Sequence, residues 1–343
     1  MSTDKLTRHT RWARRSVASI ISVTLITVLA VAPTSAQVGE GSPQLLEKHL
    51  VSVEGARKLN VVCLGHGSPT VVFEYGLGSN LLHWQKVQEP LSAITRTCFY
   101  DRAGYGFSDP SAKPMTASNV AYDLHSLLHK LGEQLPVILV GHSIGGLYAT
   151  MYADKFPEDV SGLVLIDPSF AGQGDLDPNS KYQKELHAEY VEEQHKDLSC
   201  ATLAEKHELA AQLATCFDPA PSRTPVEIAY LKQMYLKPYF YRATASENQN
   251  FIGAVPGADE DSKEEAAAAR PFGRKPVVVL TAGLTDIKHW KEGHDRLAGR
   301  STNGISAVVP NSGHYIQIDN PQAVIAAVKK VVLAVRSGKR EET

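Results

Sequence analysis

Ser143 stands in Gly141-His142-Ser143-Ile144-Gly145, a serine between two glycines in a G-x-S-x-G pattern. A serine hydroxyl is a poor nucleophile until a base removes its proton, and the base in turn needs a group to orient it. The chain offers suitable partners further on. His314 follows Asn311-Ser312-Gly313, between the last strand-like run and the last helix-like run. Asp167 directly follows the apolar run Gly162-Leu163-Val164-Leu165-Ile166, and Asp286 closes Ala282-Gly283-Leu284-Thr285-Asp286 after another such run. If these groups converge, the chemistry is acyl transfer to Ser143 and then hydrolysis.

The surrounding elements decide whether they can converge. Pro136 to Val140 reads as a buried strand running straight into the serine, and Leu147 to Phe156 as a helix leaving it. Gly141 and Gly145 leave room for a sharp strand-to-helix turn that a Cβ would crowd. At the helix N-terminus the Ile144 N–H and the helix dipole favour a developing negative charge. Six further strand patterns surround this one: Lys48–Val53, Leu59–Leu64, Thr70–Tyr75, Thr97–Tyr100, Pro276–Thr281 and Ile305–Val309, besides the run before Asp167. Helical spacing covers Asn80–Leu91, Thr116–Leu131 (stopped by Gly132), Asp286–Leu297 and Pro321–Val335, the last with Asp319-Asn320 as cap candidates. Apolar strands alternating with amphipathic helices predict a parallel sheet covered on both faces. The rhythm breaks from 169 to 273, a charged and mainly helical stretch. Its aromatic cluster (Tyr230, Tyr235, Tyr239, Phe240, Tyr241) lines a pocket or forms the insertion's own core, and its tract Asp259–Arg270 reads as an exposed helix or a mobile loop.

The strand, turn and helix around Ser143 resemble the nucleophile elbow of the α/β-hydrolase family, and the resemblance extends over residues 45–337. It implies a mostly parallel eight-stranded sheet flanked by helices, with core segments 37–168 and 274–337. A helical cap over 169–273 follows the sixth strand. It also implies that Ser143 is the nucleophile and His314 the base, with Asp286 favoured as the orienting acid and Asp167 the alternative. Leu77 and Ile144 would supply the oxyanion N–H groups. The chain departs from the family's usual His-Gly-x pattern before Leu77, where Glu74-Tyr75 replaces the histidine. The loop Asp101–Ser108 resembles one that braces neighbouring loops. His142 is expected to point its ring away from the reaction and pack on the sheet, with His66 and His83 as surface or rim residues. The activity implied is hydrolysis of small to medium carboxylic esters without cofactor or metal. Alternatives are lactonase, amidase or perhydrolase turnover on the same triad, or a non-catalytic binding protein. A serine nucleophile argues against epoxide hydrolase and dehalogenase chemistry, which place a carboxylate there.

The N-terminus reads as a leader. Lys5, Arg8, Arg11, Arg14 and Arg15 precede the apolar stretch Val17–Val31, and Thr34-Ser35-Ala36 forms a cleavage site ahead of Gln37. Export to a periplasmic or extracellular location is expected, with no stable membrane insertion once residues 1–36 are removed. The remaining chain carries 30 basic and 36 acidic side chains, a net charge of −6. Nothing in that balance attracts nucleic acid. Residues 338–343 form a charged tail. In an oxidising compartment four cysteines imply two disulfides. Cys63–Cys98 is the pair that the family's strand order makes feasible, leaving Cys200 and Cys216 to close a loop in the insertion.

Overall fold

The computed structural model describes residues 47–173, 181–209, 213–216, 224–252, 260–284 and 288–341. The leader expected over 1–36 lies outside them. Eight strands form one sheet: β1 Leu50–Glu54, β2 Arg57–Leu64, β3 Val71–Glu74, β4 Thr97–Tyr100, β5 Val137–His142, β6 Val160–Ile166, β7 Val277–Ala282 and β8 Gly304–Val309. Their spatial order is β1-β2-β4-β3-β5-β6-β7-β8. β2 runs antiparallel to β1 and β4, and the pairs from β4 through β8 are parallel. Because β3 lies between β4 and β5, the loops after β3 and β5 diverge at their carboxyl ends. Such a crevice is where open α/β sheets place their sites.

Period-two alternation explains how continuous apolar runs serve two faces. Val137, Leu139, Leu163, Leu165, Val277 and Val279 belong to one buried cluster. Their neighbours Ile138, Val140, Val164, Ile166, Val278 and Leu280 belong to the other. The first face is covered by α2 Ala117–Leu131 and α3 Ile144–Lys155, and the second by α1 Gln85–Ser92 and α11 Pro321–Glu341. In α2 the apolar positions Val120, Leu124, Leu127 and Leu128 are buried, each leucine contributing about 1.5–3 kcal/mol. Thr116 caps its start by accepting from the Asn119 N–H, and Gly132 ends it in the left-handed conformation at φ 71°. Val324, Val328, Val331 and Val335 form the equivalent stripe on α11. That helix is capped by Asn320, whose side chain accepts from the Ala323 N–H. It runs on to Glu341, so most of the expected tail continues a helix.

The insertion after β6 contains α4 Lys181–Glu205, α5 Leu213–Cys216, α6 Pro225–Tyr235, α7 Pro238–Ile252 and α8 Glu260–Ala268. α9 Lys288–Gly299 and the short α10 Ile316–Asp319 follow β7 and β8. A disulfide joins Cys200 on α4 to Cys216 on α5. Another joins Cys63 to Cys98, which face each other across β2 and β4 with Cα atoms 4.1 Å apart. The acidic tract forms a helix, α8, mostly exposed as one of the two expectations had it, but two of its carboxylates are not solvated. Within α8, Asp261 and Glu265 are buried, Asp261 accepts from the Ala117 N–H at 2.7 Å and Glu264 from the Ser118 N–H at 2.9 Å. Two carboxylates thus meet the orphan donors of the first turn of α2, where the helix dipole favours negative charge. No described helix is long and apolar enough to cross a membrane.

Candidate active site

Ser143 joins β5 to α3 at φ 55° and ψ −128°, a strained conformation for a residue with a Cβ. The two glycines beside it make the turn possible. A Cβ on Gly141 would stand 2.4 Å from the Gly145 carbonyl oxygen, and one on Gly145 would stand 2.4 Å from the carbonyl oxygens of Glu74 and Tyr75. The second contact shows how closely α3 approaches the segment after β3. The Ser143 carbonyl accepts from the N–H groups of Gly146 at 2.8 Å and Ser169 at 2.9 Å, anchoring the elbow to the chain leaving β6.

That chain holds the carboxylate. Asp167 is fully buried, its backbone at φ 41°. Its Oδ1 accepts from the Ala282 N–H at 2.9 Å, and its Oδ2 lies 2.7 Å from His314 Nδ1. With Nδ1–H donated to a carboxylate, Nε2 is left as the imidazole's basic nitrogen. The structure therefore brings Asp167 to His314. Asp286, favoured on sequence grounds, lies outside the described residues.

Two histidines not expected here brace the pair. His142 is buried, but its ring faces the His314 loop rather than packing away on the sheet. Its centroid is 4.7 Å from that of His314 and 5.0 Å from that of Tyr315. Burial, reinforced by His314, pushes its pKa well below the usual imidazole range. A neutral ring can donate Nε2–H to the His314 carbonyl, 2.9 Å away. His294 on α9 likewise has its pKa pushed down to about 4 by burial. Its Nε2 donates to the Pro168 carbonyl at 2.9 Å, and its Nδ1 lies 2.7 Å from Thr281 Oγ1. It thereby fixes the turn that carries Asp167. His83 is a rim residue of the cavity, as expected, with its Nδ1 2.8 Å from Ser79 Oγ and its ring against Tyr315. His66 is exposed and takes no part.

The loop after β3 is held from behind by Arg102. This fully buried guanidinium donates to the Tyr75 carbonyl at 2.7 Å and the Gly76 carbonyl at 3.1 Å. It also meets Glu74 at 3.2 Å and forms a two-point bridge to Glu247 of α7 at 2.7 and 3.1 Å. In a trans peptide the N–H points opposite its carbonyl. Turning the Gly76 carbonyl to Arg102 therefore aims the Leu77 N–H the other way. Among the described residues neither the Leu77 nor the Ile144 N–H has a protein acceptor. Glu74-Tyr75 stands where the commoner pattern has a histidine, and the Glu74 carboxyl is buried. Burial raises its pKa against the pull of Arg102 and a hydrogen bond from Tyr100. Asp101 accepts from Asn60 and from the Phe107 N–H, so the Asp101–Ser108 loop braces its neighbours as expected.

Ser143, His314 and Leu77 open onto one cavity of about 520 Å³ between the sheet and the cap. Of the aromatic cluster, Tyr235, Phe240 and Tyr241 line it. Tyr230 is buried with its hydroxyl 3.4 Å from the Leu81 N–H, and Tyr239 faces a separate groove. The cluster is thus part pocket wall and part cap core. Two groups of possible metal ligands lie elsewhere among the described residues. Cys63 and Cys98 beside Glu133 are already joined in a disulfide, and His125 and His129 meet Asp159 away from this cavity.

The family model for the alpha/beta hydrolase fold matches residues 69–321. The chain belongs to the α/β-hydrolase fold family. An AB hydrolase superfamily protein of Gibberella zeae is 27% identical over 296 residues, covering 78% of this chain and 87% of the relative. Other curated relatives are matched over only 49%, 37% and 15% of their own length, so the chain spans about half of them or less. Among solved α/β-hydrolases, a thermophilic esterase from Thermogutta terrifontis aligns with a TM-score of 0.57 at 20% identity, covering 84% of this chain and 99% of that one. A Pseudomonas aeruginosa structure assigned provisionally to the epoxide hydrolases aligns with a TM-score of 0.65 at 18% identity, covering 86% and 99%. At such identities the likeness is one of fold. Family membership fixes the fold of this α/β-hydrolase-fold protein, and its activity must be argued from its own residues.

Proposed function

We propose that this protein is a serine hydrolase of small to medium carboxylic esters, with Ser143 as nucleophile, His314 as base and Asp167 as orienting acid. The observation that carries the reading is the 2.7 Å pairing of His314 Nδ1 with Asp167 on the wall of the cavity that Ser143 enters. Ser143 Oγ attacks the ester carbonyl while His314 Nε2 takes its proton. The tetrahedral oxyanion receives the N–H groups of Leu77 and Ile144, each such donor contributing about 3–4 kcal/mol to the transition state. The intermediate collapses as His314 returns the proton to the departing alcohol. Water, deprotonated by the same ring, then cleaves the acyl-enzyme to the carboxylic acid and free Ser143. A serine at the elbow supports this chemistry over epoxide opening, which needs a carboxylate there.

Export is part of the same reading. Two disulfides suit an oxidising compartment, and the leader-like residues 1–36 would supply the route. Turnover of a para-nitrophenyl ester series from acetate to octanoate tests the reaction. The expected result is saturable hydrolysis that falls by about a thousandfold or more in Ser143→Ala. Equal rates in the variant would contradict it.

A further inference from the structure

The cavity has a chemical bias that the triad does not need. α4 sends Glu189, Glu193 and Asp197 to its wall, at positions i, i+4 and i+8, one face of the helix. α7 packs alongside and contributes Thr244 and Asn248 to the same wall. Among the described lining residues there is no lysine or arginine. The described ion-pair partner of this stripe is the exposed Lys196, 3.7 Å from Glu193.

An acidic stripe alone would be a solvated helix face, but Asn248 adds a separate observation. Its side chain is wholly buried at the cavity wall, and neither Oδ1 nor Nδ2 has a hydrogen-bond partner. Leaving both unpaired costs about 1–3 kcal/mol per group, so the site is built for a ligand that supplies them. Oδ1 requires a donor, and beside the carboxylates of α4 an ammonium N–H serves both.

Resting on the serine-hydrolase reading, we infer that the preferred ester carries a protonated amine, seated between Asp197, Glu193 and Asn248 under the cap. The ammonium donates to the Asp197 carboxylate and to Asn248 Oδ1, and Nδ2 donates to an oxygen of the same ligand. Tyr235 and Tyr241 on the adjoining wall present aromatic surface that a cation prefers to an alkyl chain. The exposed Glu189 and Glu193 draw cations toward the opening. Asp197 is mostly buried, and burial raises its pKa to about 7, as suits a carboxyl awaiting a positive partner.

Two isosteric pairs test this, one for each half of the ester. Para-nitrophenyl ω-aminohexanoate is compared with the heptanoate, and aminobutyl butyrate with pentyl butyrate. At pH 7 the amine should be preferred at least tenfold in kcat/KM in one pair or both. Asp197→Asn should bring that ratio close to one, and the exposed Glu193→Gln should lower it severalfold. Turnover of the neutral esters with ratios near one in both pairs would overturn the inference and leave the hydrolase reading standing. If no ester is cleaved, the hydrolase reading falls. The cation site is then judged by calorimetric titration with methyl ω-aminohexanoate and methyl heptanoate. Tighter binding of the amine, lost in Asp197→Asn, supports the site, and equal binding refutes it.

Discussion

His314 Nδ1 and Asp167 Oδ2 lie 2.7 Å apart although 147 positions separate the two residues. The contact exists because β6 and β7 are adjacent and the His314 loop folds back over the ends of both. If this carboxylate sets the tautomer, Asp167→Asn should lower kcat by about three to four orders of magnitude without unfolding the protein. Asp286→Asn should stay within severalfold of the wild type. Ester kinetics on both variants check the ranking, and the reverse order would move the acid to Asp286.

Arg102 couples the cap to the loop after β3, since it bonds both Glu247 and the carbonyls of Tyr75 and Gly76. Removing it would leave two buried carboxylates without their cation. Arg102→Met should cost about 3–5 kcal/mol in urea denaturation. A loss below about 1 kcal/mol would mean that the network is not held by this charge.

His294 predicts a pH dependence with a definite sign. Its folded pKa, about 4, lies below the ordinary value of 6.5, so between these pH values the unfolded chain binds more protons. Its contribution to stability is complete above about pH 6.5 and is lost as the pH falls toward 4, by up to about 3 kcal/mol. Comparing the wild type with His294→Gln by denaturant melts across that window isolates this effect. The stability gap should narrow on acidification, and a constant gap would contradict the assignment.

The Cys63–Cys98 bridge ties the antiparallel edge to the parallel sheet. Peptide mapping without reductant should recover the cross-linked pair, and Cys63→Ala with Cys98→Ala should lose about 2–4 kcal/mol. Free thiols at both positions would refute it.

What the sequence disclosed about this site follows from how local each feature is. Ser143 was legible because its strand, glycines and helix adjoin one another, and the strands because their apolar runs are continuous. The carboxylate beside His314 was left between two, because Asp167 and Asp286 each follow a strand and the local pattern does not show which of them the His314 loop reaches. His294 and Glu247 were missed for a related reason. Their partners, Pro168 and Arg102, lie 126 and 145 positions away, and no local spacing marks such pairs. His142 was assigned to the sheet because a strand end alone does not reveal that the His314 loop covers it. The burial of Asp261 and Glu265 within the acidic tract was not legible, because charge predicts solvent unless a neighbouring helix needs capping.

The reaction itself rests on an activated Ser143. Mass spectrometry of the folded protein after treatment with a fluorophosphonate probe tests this most directly. One adduct is expected, on the peptide carrying Ser143, formed far more slowly in His314→Ala. An unlabelled Ser143, or labelling at the same rate without His314, would contradict it.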